Sequence, residues 1–153
     1  MRPDAHKVLI YATWRDSLLV FDQPDFPEVD LQVPGGTMEP GESPEAAARR
    51  EFFEETGLAP REPFAQLATL DYRFVKSGSE IWHRRLYFHT ALVGEQRQSW
   101  LHDEMTPDSG GPPIRFRFFW VSQSDASSRL GYGMNEALAL LQKPAAVGPS
   151  PRV

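Results

Sequence analysis

The stretch that decides the fold is residues 36–58, GTMEPGESPEAAARREFFEETGL. Ser43 is a side-chain acceptor suited to an N-cap. Pro44 occupies the first helical position, where its missing N–H costs nothing, and Gly57 stands just past the end, where a left-handed residue is wanted. The pattern predicts a helix over 44–56. Within it Glu51, Glu54 and Glu55 are spaced i, i+3, i+4, an arc of about 100° on one face. Like charges at that spacing repel by about a few tenths of a kcal/mol per pair. Taken alone, EFFEE reads as a solvated helix face. Convergent carboxylates can also make an oxygen cage for a hard cation such as Mg²⁺. Phe52 and Phe53 lie away from the acidic centre, and at least one is expected to bury against a sheet and fix the helix.

The flanking residues favour the cage. Pro34-Gly35-Gly36 is strong backbone punctuation, and its glycines let the chain approach a ligand or metal closely. Glu42 lies six residues after Gly36, and Arg50 can pair with a neighbouring carboxylate, holding it ionised and oriented. The whole stretch has the form G-x5-E-x7-R-E-U-x-E-E-x-G-U, the bulky apolar U positions being Phe52 and Leu58. It resembles the Nudix box with every defining position filled. A chance match at average composition comes to roughly one in 10⁷ for a chain of this length, so the motif is specific.

The resemblance implies a Nudix fold, an α/β/α sandwich with a mixed central sheet. It also implies metal-dependent cleavage of the phosphoanhydride bond of a nucleoside diphosphate linked to another moiety. Carried over by position, Glu51, Glu54 and Glu55 are the expected ligands of Mg²⁺ or Mn²⁺, with the Gly36 carbonyl as a further one. Arg50 would orient the glutamates and Glu42 would support the loop. A helix glutamate, Glu54 among them, could serve as general base; in some members the base lies on a later loop, where Glu104 ranks ahead of Asp103. A nucleoside triphosphate or dinucleoside polyphosphate is the favoured substrate class. The alternative is a non-catalytic Nudix-fold sensor that binds a nucleotide, although such modules commonly lose box carboxylates that this chain keeps. Family members are often dimers, which leaves a homodimer open; no sequence feature decides it.

The remaining chain reads mostly as strands: 7–14 and 17–22 joined by a tight turn at Arg15-Asp16, then 31–33, 66–74, 81–93 and 115–121. Lys76-Ser77-Gly78-Ser79 looks like a hairpin loop, 94–113 a long polar loop, and 134–142 a short amphipathic helix. One domain over 1–143 is expected, with a disordered tail over 144–153. Strand alternation puts Arg84 and Arg85 on opposite faces. The four histidines (His6, His83, His89, His102) are scattered and read as structural or exposed. Trp82 and Trp120 read as core, Trp100 as a loop anchor or base-stacking residue, and Tyr72 matches a substrate-reading position too loosely to use.

Composition narrows the classes. The chain has 153 residues, no cysteine and a net charge of −5. Thiolate metal sites, thiol nucleophiles and disulfides are therefore excluded, and the absence of cysteine fits a reducing compartment. The acidic balance argues against a nucleic-acid partner, a decapping enzyme included, and against a membrane surface. A bound divalent cation reverses the local sign, so a phosphorylated small molecule remains compatible. No leader peptide or spanning segment is visible, and a cytoplasmic protein is expected.

Overall fold

The computed structural model describes residues 1–107 and 110–142. Strand β1 (Ala5–Trp14) buries Val8, Ile10 and Ala12 on one face and Leu9 and Tyr11 on the other. A strand apolar on both faces belongs in the middle of a covered sheet. It turns into β2 (Ser17–Asp22) through Arg15 and Asp16, both at positive φ, the geometry that matches strand twist in a two-residue hairpin. Next come β3 (Gly35–Thr37) and α1 (Pro44–Thr56). Then β4 (Ala65–Lys76) and β5 (Ser79–Ala91) form a second hairpin, turning at Ser77-Gly78. Last are β6 (Ser99–Glu104), β7 (Ile114–Ser122) and α2 (Gln123–Arg129).

The sheet runs β4-β5-β1-β2-β7-β6, with β3 paired to β1 off this path. β1 and β5 are parallel and the other pairings antiparallel. Helix α1 covers one face through Ala47, Ala48 and Phe52, and α2 with the segment after it covers the other through Ala126, Leu130 and Met134. This is the expected three-layer sandwich with a mixed sheet. Among the described residues no helix is long and apolar enough to cross a membrane.

Helix α1 has the bounds its sequence predicts. Ser43 Oγ accepts the Ala46 N–H at 3.2 Å, and Gly57 closes the helix at φ 80°, its N–H on the Phe53 carbonyl. Phe52 is fully buried, edge-on to Phe64, whereas Phe53 is exposed.

Three expectations need correction. The strand expected at 31–33 is reduced to isolated bridges, Gln32 with Phe21 and Leu31 with Leu130, and the ordered pairing falls on the glycines themselves. Residues without a Cβ can lie close against β1: a Cβ on Gly35 would strike the Val8 carbonyl and the Leu9 side chain. The polar loop 94–113 contains β6; of its residues, 108 and 109 lie outside those described. In place of a helix over 134–142 there is α2 further upstream and a 3₁₀ turn at Leu138–Gln142. There the buried Tyr11 hydroxyl donates to the Met134 carbonyl at 2.6 Å and accepts the Ala137 N–H at 3.2 Å, holding the backbone out of a regular helix. The tail 144–153 lies outside the described residues.

Phe52 ties the motif helix to the sheet, so Phe52→Ala is expected to cost about 3–5 kcal/mol in chemical denaturation. A loss below about 1 kcal/mol would mean that other contacts anchor the helix.

Candidate metal centre and cleft

Three carboxylates converge. Glu51 and Glu55 come from α1 and Glu104 from the end of β6, and one oxygen of each lies within 4.8 Å of the others. Glu51 is 4% and Glu55 6% exposed, so this face of α1 is not solvated. Two strands bury it. β3 passes beneath: the Gly35 N–H donates to Glu55 Oε1 at 2.9 Å, and a Cβ on Gly36 would overlap the Glu51 carboxylate. β6 runs alongside: Trp100 Nε1 donates to the Thr56 carbonyl at 2.9 Å, and His102 Nε2 lies 3.1 Å from the Glu54 carbonyl. Strand alternation that turns Trp100, His102 and Glu104 toward the helix turns Leu101 and Asp103 away. Asp103 accordingly meets Arg115 at 3.4 Å outside the cluster.

The β1–β3 ladder bears on the Gly36 carbonyl. Ile10 N–H bonds to the Pro34 carbonyl and Met38 N–H to the His6 carbonyl. By antiparallel alternation Val8 and Gly36 then form the hydrogen-bonded pair between them, and Gly35 is the residue whose backbone groups point out of the ladder. The Gly36 carbonyl is thus engaged by Val8, and only its second lone pair could serve a metal.

Arg50 organises the rest. Its Nε and Nη2 hold both oxygens of Glu42 at 2.6 and 2.9 Å; Nη1 reaches Glu51 at 2.9 Å and Glu54 at 3.1 Å; Nη2 also bonds the Thr37 carbonyl at 3.2 Å. Glu54, with 46% of its side chain exposed, therefore lies at the rim, bonded to Arg50 and outside the three-carboxylate group. The Arg50 guanidinium, followed by the Glu39 N–H, lowers the Glu42 carboxyl to about 2. In turn the hydrogen bond Arg50 donates to Glu42 leads the interactions that raise the guanidinium above its ordinary value.

From the acidic cluster a cleft of about 500 Å³ extends across the sheet. Lys7, Tyr72, Phe74, His83, Arg85 and Tyr132 also line it. Arg85 is 5% exposed; Nη1 donates to the Tyr132 carbonyl at 2.7 Å and to Glu136 at 3.2 Å, and the guanidinium lies 3.6 Å from the Tyr72 ring centroid. The Tyr87 hydroxyl also bonds Glu136; burial, then that bond, raises its phenol far above the ordinary value. Burial lowers the His83 imidazole. Arg84 lies on the opposite face, paired with Asp71 at 3.0 Å, so Arg85 alone of the two faces the cleft.

Several residues left out of the sequence-based site thus line the cleft. Lys7 and Arg85 were detectable as charges inside apolar strand runs; Tyr132 carries no such signal. Trp100 is a buried β6 residue and not a loop platform. Trp82 is half-buried under Arg73 and Arg84, and Trp120 packs against Trp14. His89 bonds Thr13 at 2.8 Å and His6 is exposed.

Comparison with known proteins gives the family and the fold. A sequence model of the NUDIX domain matches residues 1–141, and the chain belongs to that family. It is 40% identical over 52 residues to the 8-oxo-dGTP diphosphatase of Escherichia coli K12, a match spanning 34% of this chain and 40% of that protein. Among solved structures, a MutT NUDIX hydrolase from Burkholderia pseudomallei superposes with a TM-score of 0.65 at 18% identity, over 92% of this chain and 99% of that one. The NUDIX domain of Shewanella oneidensis NrtR, in complex with ADP ribose, gives 0.65 at 15% identity, over 95% and 90%. At these identities the likeness is one of fold.

Two outcomes follow from the centre. Gly36→Val should lower the melting temperature and weaken Mn²⁺ binding measured by electron paramagnetic resonance; an unchanged variant would show that Glu51 can move aside. Glu42 has a folded-state pKa depressed from 4.5 to about 2, so its contribution is present above the unfolded value and lost as pH falls through that interval. Glu42→Gln should therefore be less stable than wild type at pH 7, with the difference closing between pH 4.5 and about 2. A difference independent of pH would contradict the Arg50 pairing.

Proposed function

We propose that this protein is a divalent-metal-dependent pyrophosphohydrolase that cleaves the phosphoanhydride bond of a nucleoside diphosphate derivative. The observation that carries the reading is the convergence of Glu51, Glu55 and Glu104 within 4.8 Å at one end of the cleft. The donor set is entirely carboxylate oxygen, as Mg²⁺ or Mn²⁺ prefers. Glu51, Glu55 and Glu104 would hold the metal, with Glu54 joining from the rim and the Gly36 backbone beside them. When bound, the ion would neutralise charge on the phosphoryl oxygens and acidify water.

The chain's own groups supply the remainder. Arg50 orients Glu51 and Glu54 through its hydrogen bonds to both. Glu104, the only member of the cluster not borne by the helix, accepts the proton of the attacking water on a carboxylate oxygen. Lys7, on the cleft wall between the acidic cluster and the aromatic residues, meets the anionic phosphates. We favour a nucleoside triphosphate or dinucleoside polyphosphate. Similarity to the 8-oxo-dGTP diphosphatase over 52 residues supports the first. The fold shared with a Caenorhabditis elegans Ap4A hydrolase, with a TM-score of 0.56 at 16% identity, is compatible with the second.

The test is hydrolysis of a panel of nucleoside polyphosphates, nucleotide sugars and ADP-ribose with Mg²⁺, with Mn²⁺ and with EDTA. Metal-dependent cleavage of one class is expected, and Glu54→Gln, Glu55→Gln or Glu104→Gln should each reduce it by orders of magnitude while far-UV circular dichroism stays unchanged. Tight nucleotide binding without turnover on any member would replace the hydrolase reading with a sensor.

A further inference from the structure

Residues 131–134 form a tight turn closed by the Met134 N–H on the Gly131 carbonyl at 3.0 Å, with Tyr132 at φ 58° and Gly133 at φ 67°. Two consecutive left-handed residues are the geometry of a type I′ turn, which takes Asn, Asp or Gly at its first central position. A tyrosine there is out of keeping with the turn's own chemistry. The other non-glycine residues at positive φ among those described are Arg15, Asp16 and Ser77, exposed in the two hairpin turns and absent from the cleft wall. Tyr132 lines the cleft and is 39% exposed. Residues held in sparsely populated backbone regions cluster at ligand clamps, where the surrounding structure over-determines them.

That surrounding structure is present. The buried Arg85 holds the Tyr132 carbonyl at 2.7 Å, and Gly133 lies against Tyr72 so closely that a Cβ there would come within 2.9 Å of the ring. On the other side the Tyr132 hydroxyl accepts the Asp30 N–H at 3.0 Å. Tyr132 is therefore held at its backbone carbonyl and at its hydroxyl.

The chemistry of the cleft wall is graded from strand to strand. β4 contributes Tyr72 and Phe74, β5 contributes Arg85, β1 contributes Lys7, and β3 contributes Gly36 against the Glu51 carboxylate. Adjacent strands lie about 4.8 Å apart, so the three steps from β4 to β3 span roughly 14 Å. Aromatic, cationic and carboxylate groups follow one another in the order of a nucleoside diphosphate: flat base, anionic phosphates, bound metal.

We propose that Tyr132, at the aromatic end of the cleft, is the face on which the substrate's nucleobase stacks, making it a specificity-determining residue. The proposal rests on the hydrolase reading above and adds the direction in which the substrate lies. Stacking tolerates any base, because every base offers a π-face. It should therefore distinguish nucleotides from base-free phosphates and not one base from another.

The experiment is calorimetric titration of ADP, GDP and inorganic pyrophosphate, each with Mg²⁺, into wild type and Tyr132→Gly, Tyr132→Asn and Tyr132→Phe, alongside kcat and KM on the best nucleotide substrate. Gly and Asn both accept positive φ, so melting temperatures should hold. ADP and GDP affinity should fall at least tenfold in both of these variants, with KM rising similarly, while pyrophosphate affinity shifts less than twofold. Tyr132→Phe, which keeps the ring and loses the hydroxyl, should recover nucleotide affinity. Equal losses for nucleotide and pyrophosphate, or a loss in Tyr132→Phe as large as in Tyr132→Gly, would overturn stacking in favour of a tether to Asp30. A wild type that cleaves nucleotides, with variants indifferent to the change, overturns stacking and leaves the hydrolase reading intact. A wild type that neither binds nor cleaves any nucleoside polyphosphate overturns both.

Discussion

One guanidinium makes this site buildable. Three glutamates on one arc of α1 and a fourth before it would repel one another, and two of the helix carboxylates are almost fully buried. Arg50 touches Glu42, Glu51 and Glu54 at once, and its bond to the Thr37 carbonyl joins the helix to β3. Glu42 takes the bidentate share, so the segment before the helix is tied down by the group that neutralises the helix. The planar fork is needed because these bonds leave in several directions within one plane, which a lysine ammonium cannot reproduce. The same bonds set the direction of Glu51 and leave Glu54 at the rim.

Once Glu51 and Glu55 are fixed, the neighbouring backbone has little freedom. β3 must pass within reach of both carboxylates, which demands glycine at 36, where any side chain would occupy the space of the Glu51 carboxylate. β6 must lie beside the helix C-terminus, and it does so by giving Trp100 Nε1 to the otherwise orphaned Thr56 carbonyl. Four residues further along the same inward face, Glu104 reaches the cluster. Helix termination and completion of the carboxylate group are thus served by one strand in one register; a slip of a single residue would replace Glu104 by Asp103.

The parts legible in sequence are those whose signals are local. Helix α1 carries its start and stop in the residues that flank it, Ser43 and Gly57, and its acidic face between them, and the hairpins at Arg15-Asp16 and Ser77-Gly78 carry theirs within a turn. The polar composition of 94–113 hid β6, whose apolar content is slight; its alternation of Trp100, His102 and Glu104 has meaning only once α1 lies beside it. Burial of Glu51 and Glu55 was equally hidden, because an acidic arc looks the same whether water or two strands cover it. The C-terminal helix was over-read: the apolar spacing at 134–142 is real, but it serves to bury Ala137 and Leu138 under a segment held by Tyr11, a contact between residues more than a hundred apart. Tyr132 was invisible for a related reason, since its importance lies in a backbone angle and a distant wall.

β1 reconciles a packed core with an open cleft. Its even-numbered residues Val8, Ile10 and Ala12 enter the core beneath α1 and fix the motif helix in place. Its odd-numbered residues change character along the strand: Tyr11 is buried and holds the C-terminal segment, Leu9 lies at the boundary, and Lys7 faces the cleft with its ammonium on Thr37 at 2.6 Å. Beyond Thr13–Trp14 toward its N-terminal end, β1 has left β2 and pairs instead with β3, and that divergence opens the cleft. The strand that enters the core on both faces is therefore also the one that separates the carboxylates from the aromatic end. Tyr11 fixes the segment bearing Tyr132 from the same face on which Lys7 lines the cleft. The distance between the two ends of the cleft is consequently set by a strand buried on both faces, and not by loops free to drift.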